Sequence, residues 1–85
     1  MTTRSNIEVQ DNWTLVQSEA GYAYINQGNV IFSLVEKDVN GVVYPPTQDG
    51  SYHVAGSSAY AVPDNHALFA RTIKEGYTAI VSPTY

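Results

Sequence analysis

The chain is 85 residues and 9.3 kDa, which allows one domain with a thin core. It has no cysteine, so neither a disulfide framework nor a thiolate metal site can supplement that core. Eight acidic residues against four basic ones leave a formal charge of −4, which speaks against nucleic acid as a partner because phosphate binding needs cationic surface.

Charged residues make up only 14% of the chain, well below the ~25% of an ordinary soluble domain. Their place is taken by 24 Ser, Thr, Asn and Gln residues and by seven Tyr. Such a surface is adhesive and does not repel itself. Ten Val and five Ile stand against three Leu, and branching at Cβ suits a pleated surface better than a helix. Gly, Pro and Asn turn residues recur at short intervals. Together these features predict an all-β fold, a small antiparallel β-sandwich or barrel-like domain with a flexible N-terminal arm.

Taken in chain order, residues 1–11 hold few apolar side chains (Ile7, Val9) and read as the arm, with 12–85 as the single β domain. Removing the arm is expected to weaken attachment to a partner and leave the fold intact. Strands are predicted at 13–18, 22–26, 30–36, 42–44, 52–55, 58–62, 67–73 and 77–82. Tyr22, Tyr24 and Asn26 alternate with Ala23 and Ile25, the period of a half-buried strand. Gln27-Gly28-Asn29 reads as a hairpin turn into 30–36, and Lys74-Glu75-Gly76 as a second hairpin turn from 67–73 into 77–82. A helix over 67–75, capped by Asp64 and ended by Gly76, is the alternative to the strand at 67–73. The turn-rich stretch 40–62 is either an irregular excursion with short edge strands or a long loop.

No apolar run is long enough to cross a bilayer, and no secretory signal is read at the N-terminus, so synthesis in a cytoplasm is expected. Catalysis needs a convergent set of titratable or nucleophilic groups, and little here supplies one. Asp64-Asn65-His66 has a spacing that could orient an imidazole, but a turn after Pro63 accounts for it more simply. His53 reads as a partly exposed strand residue. Calcium at Asp38-Val39-Asn40-Gly41 would lack the remaining acidic ligands. No phosphate loop, nucleophile elbow or zinc motif is present. No catalytic residue, metal ligand or cofactor is therefore assigned.

The aromatic residues are more informative. Trp13, with Leu15 and Val16, is expected in the core. Seven Tyr are too many for a core of this size, so some must lie outside, where an amphipathic ring serves an interface. Cross-strand aromatic pairs that only stabilise the sheet are the alternative. Arg71 lies on the Phe69 side of its strand, where it is expected to pair with a carboxylate or stack on a ring.

Several pieces resemble a group of small virion proteins of tailed bacteriophages. These are Trp13-Thr14-Leu15-Val16, the strand Tyr22-Ala23-Tyr24-Ile25-Asn26, the Gly28 turn before Val30-Ile31-Phe32, then Leu68-Phe69-Ala70-Arg71 and Thr78-Ala79-Ile80-Val81. The resemblance spans residues 13–82, and residues 37–62 add nothing distinctive to it. It implies a non-enzymatic structural component of a virion, most naturally a capsid decoration protein. The partners it implies are the major capsid protein or tail proteins. It also implies a homo-oligomer, with a trimer favoured, and no nucleic acid or membrane partner. A tail-associated receptor- or glycan-binding module is the alternative. A nucleic-acid-mimicking inhibitor ranks last, because its carboxylates would have to gather on one face and these are scattered along the chain. Candidate contact residues are Ile7, Val9, Tyr22, Tyr24, Tyr44, Tyr52 and Tyr60.

Overall fold

β-Branched and aromatic residues between short turns form eight strands in the computed structural model, which describes residues 1–48 and 50–85. The strands are β1 (Ile7–Val9), β2 (Thr14–Gln17), β3 (Gly21–Gln27) and β4 (Asn29–Glu36), then β5 (Ser51–Val54), β6 (Tyr60–Val62), β7 (His66–Arg71) and β8 (Ala79–Thr84). They make two four-stranded sheets, ordered β1-β8-β3-β6 and β2-β7-β4-β5, and every pairing is antiparallel. The domain is an all-β sandwich with no helix among its described residues.

The pairing has a simple origin. β1 pairs with β8, β2 with β7, β3 with β6 and β4 with β5. Residues 7–36 therefore run against 51–84 as one long ribbon, bent back between β4 and β5. Rolling that ribbon up adds the β3–β8 and β4–β7 pairings and closes both sheets. This is the jelly-roll way of wrapping eight strands.

Because the ribbon is rolled, consecutive strands change sheet at every connection except β4 to β5. Neither expected hairpin exists. The turn at Gly28 carries the chain from β3 in one sheet to β4 in the other, and the turn at Gly76 does the same between β7 and β8. Gly28 is needed at its corner for two reasons. Its φ is +82°, and a Cβ there would lie 2.7 Å from the Thr78 carbonyl oxygen.

The flexible arm is not confirmed. Residues 1–11 supply β1, and ahead of it Thr2 and Tyr85 exchange backbone hydrogen bonds while Arg4 donates to the Pro83 carbonyl at 2.8 Å. Ile7 packs against the core and Val9 is fully buried within it. Two apolar residues looked like too few for a folded segment. On a three-residue strand whose inner face carries both, they suffice.

The strand predicted at 42–44 is absent. There Asp38 organises an irregular loop, its carboxylate accepting from the Asn40 and Val42 amides at 2.8 and 2.9 Å. Residues 66–71 are strand and not helix, so the preferred reading of that segment holds.

The inner faces supply the core. Val9, Ala23, Val62, Ala79 and Val81 of one sheet meet Val16, Val30, Phe32, Leu68 and Ala70 of the other. Phe32 is the largest of the fully buried side chains, and burial of that size is worth about 1.5–3 kcal/mol. Its ring also packs against Tyr60 and His53, with centroids 5.0 and 5.3 Å away. A bulge between Leu15 and Gln17 lets both Val16 and Gln17 turn inward. The Gln17 amide then donates to the carbonyls of Glu19 and Thr84, tying β2 to the end of β8 in the other sheet.

Candidate functional site

A sandwich has apolar partners only for its inner faces, so its outer faces are normally polar. The two outer faces here are unlike each other. On the β1-β8-β3-β6 sheet, alternation sends Tyr22, Tyr24 and Asn26 of β3 outward. The register sets Tyr22 beside Thr84 and Ala61, Tyr24 beside Ser82, and Glu8 beside Ile80. The Asn26 amide donates to the Ser82 hydroxyl, which in turn donates to the Asn6 side-chain oxygen. This face is wet, and its polar groups bond one another.

On the β2-β7-β4-β5 sheet the outward residues are chiefly apolar. Leu15, Phe69 and Ser33 form one cross-strand row, Arg71, Ile31 and Tyr52 the next, and Ala67 faces Val35. Val54 ends β5 beside Asn29. Leu15 is 41% exposed, Tyr52 53% and Val54 41%. Phe69 is only 5% exposed, although it lies outside the core cluster. The central strand β7 is thus buried on both faces over Ala67, Leu68, Phe69 and Ala70.

Of these described outward strand side chains Arg71 alone is charged. Its guanidinium carbon lies 5.3 Å from the centroid of the Trp13 ring, a stacking worth roughly 0.5–1 kcal/mol at an exposed site. Of the two partners expected for Arg71, a carboxylate or a ring, the ring is present as Trp13. Trp13 is half-buried and outside the core, contrary to expectation. The chain enters β2 just after Trp13, and the same alternation that turns Leu15 outward places Trp13 on that side.

No known protein family, curated protein or solved structure matches this chain. What it can do must be read from its own surface.

The candidate contact residues do not form one site. Ile7 and Val9 face the core. Tyr60 packs against it, its ring 5.3 Å from that of His53 and near perpendicular to it. Tyr22 and Tyr24 are exposed on the polar face, Tyr52 is exposed on the apolar face, and Tyr44 is exposed in the loop between β4 and β5. Only Tyr52 joins the apolar patch. Leu15, Ile31, Val35, Val54, Phe69 and the Trp13–Arg71 pair were not singled out as contact residues. One signal for them was in plain view. A strand carrying four consecutive apolar residues, 67–70, is apolar on both faces, so something beyond the core must be meant for the second face.

The polar side chains do structural work. His66 bonds the Asp64 carbonyl through Nδ1 at 2.9 Å, in a turn where Asn65 takes φ 64°. Ser51 Oγ lies 2.7 Å from His53 Nε2, since residues two apart on a strand share a face. Ser51 lines an open cleft of about 630 Å³ beside the 45–48 segment, and His53 is not part of its lining. A nucleophile beside a base is the beginning of a hydrolytic site, but the base must itself be oriented by a third group. Among the described residues no carboxylate bonds His53. No three His, Cys, Asp or Glu side chains gather as a metal site among those residues either.

Proposed function

We propose that this protein is a non-enzymatic structural component of a tailed-phage virion, a capsid decoration protein that docks on the major capsid lattice by protein–protein contact. One observation carries the reading: on a chain of net charge −4, the outward side chains of the β2-β7-β4-β5 sheet are chiefly apolar, and none of those described on its strands is a carboxylate. An exposed apolar face on a soluble domain points to a protein partner. Aromatic and Arg side chains at its centre, here Trp13, Arg71, Phe69 and Tyr52, are the types that anchor such contacts. Repetition on a lattice would multiply a weak single contact into firm attachment. The fold itself does not choose the function, because jelly rolls serve capsids, lectins and enzymes alike.

The test is co-sedimentation of the purified protein with assembled capsids of its parent phage. Saturable binding in a fixed ratio to capsid subunits, lost in a Leu15→Lys variant, supports the proposal. Failure to bind capsids at micromolar protein removes it. A second reading, a tail-associated glycan-binding module, draws on the other face, where Tyr22 and Tyr24 stand side by side near the Asn6–Ser82–Asn26 network. Aromatic faces with neutral amide and hydroxyl groups suit a saccharide. Binding on a glycan array that Tyr24→Ser abolishes would favour it over capsid docking.

A further inference from the structure

Two open sheets present four edge strands, and an edge with unpaired amides invites another strand unless something blocks it. Three of these edges are blocked. β1 carries Glu8, with Arg4 just ahead of it, β2 is bulged between Leu15 and Gln17, and β6 is three residues long and followed by Pro63. β5 has none of these devices. Its sequence Ser51-Tyr52-His53-Val54 is uncharged, free of proline and in unbroken register with β4.

The register also tells which of its amides are unused. Ala55 N–H donates to the Gly28 carbonyl at 3.0 Å, so alternation gives β4 the main-chain groups of His53 and Ser51. The N–H and C=O of Tyr52 and Val54 then point away from the sheet. Ser57 N–H takes the Val54 carbonyl at 3.1 Å. Among the described residues, nothing takes those of Tyr52.

We infer that β5 is a self-association edge, and that its occupant is β5 of a second copy of this chain, paired antiparallel about a two-fold axis at Tyr52. In that arrangement each Tyr52 exchanges both main-chain hydrogen bonds with Tyr52 of the second copy. Charge permits a second copy as the occupant, and the strand's own register favours it, since pairing about Tyr52 matches each free main-chain group with its mate. A −4 chain would normally repel itself, yet among the described residues this edge brings no like charges together, and the outward side chains flanking it, Tyr52, Ile31 and Val54, are neutral. Two-fold pairing would also join two four-stranded sheets into one of eight strands, making their apolar outer faces continuous. A four-residue edge is small, so the contact belongs among weak interfaces below ~1,200 Å². This inference does not rest on the virion reading, since edge pairing and capsid binding can each fail without the other.

The experiment is sedimentation equilibrium of the full chain from about 10 µM to 1 mM, a range suited to weak small interfaces. It is run on the unaltered protein, on Tyr52→Pro and on Leu15→Lys. Proline at 52 removes only an outward N–H, a substitution that edge strands tolerate. The expected result is a monomer–dimer equilibrium that Tyr52→Pro weakens by at least an order of magnitude and Leu15→Lys leaves standing. Should Tyr52→Pro fail to fold, amide hydrogen exchange of the unaltered protein decides, with slowing at Tyr52 as concentration rises. A strict monomer at 1 mM, a dimer indifferent to Tyr52→Pro, or exchange at Tyr52 independent of concentration overturns the inference.

Discussion

The two sheets of this sandwich obey one rule of alternation and end with opposite outer surfaces. The outer face of β1-β8-β3-β6 is finished: Tyr, Asn, Ser, Thr and Glu side chains stand in water or bond one another, as between Asn26, Ser82 and Asn6. The outer face of β2-β7-β4-β5 resembles the inside of a protein, with Phe69 buried and Leu15, Tyr52 and Val54 open around it. Both sheets contribute to the same core, so stability alone does not ask for this difference. A second apolar face is a liability in solution, and its presence points to a surface that is covered when the protein works. The same sheet also holds the unguarded edge β5, so the apolar face and the open edge lie on one side of the molecule.

The largest effect should come from the polar-faced sheet. Deleting residues 1–9 removes β1, uncovers the edge of β8 and empties the place of Val9, and a loss above about 3 kcal/mol is expected from a domain this small. Thermal unfolding followed by circular dichroism reads it. A truncated chain with an unchanged melting temperature would show that the segment is an arm after all.

Phe69→Ala then asks whether the apolar outer face is packed like a core. A loss of about 3 kcal/mol in denaturant unfolding is expected, in the range for truncating a buried aromatic residue. A loss of a few tenths would mean that the face is merely coloured apolar. Next comes Gly28→Ala, at the corner where the chain leaves one sheet for the other. A positive φ and a Cβ 2.7 Å from the Thr78 oxygen should cost roughly 1–3 kcal/mol. An unaffected melting temperature would show that the corner relaxes freely.

The smallest effects on stability separate the two faces most cleanly. Leu15→Lys on the apolar face should change stability by no more than about 1 kcal/mol, raise solubility and abolish the proposed capsid binding. Tyr24→Ser on the polar face should stay within ~0.5 kcal/mol and leave the proposed capsid binding unaffected. If the two variants exchange these binding results, the functional face has been assigned to the wrong sheet.

Several elements were legible in the chain. The alternation of Tyr22, Tyr24 and Asn26 with Ala23 and Ile25 announced β3 and put the two Tyr on one face, while only the packing decided that this face is the outward one. The β-branched run before Glu36 announced β4. For Arg71, the Phe69 side of its strand followed from spacing, and a ring was one of the two partners expected of it. The contact residues were harder. Tyr60 and Tyr52 share residue type and exposed-looking surroundings, yet one packs on Phe32 and the other stands in solvent. The difference is set by which strand lies opposite. Trp13 misled for the same reason: its size argued for the core, while the direction of entry into β2 turned it outward.

Local chemistry is what a sequence carries. Branching at Cβ and turn residues at short intervals were enough to indicate an all-β domain and most of its strands, with the helical alternative over 67–75 decided by the structure. Pairing is not local. Gly28 and Gly76 permit a sharp reversal of the chain, and the same reversal serves a hairpin within one sheet or a corner between two. Only the rolling of the whole ribbon, which brings β8 beside β3 and β7 beside β4, decided between them. That decision fixed which side of each strand meets the core. It therefore also decided that the apolar residues left over would gather on one outer face beside an open edge.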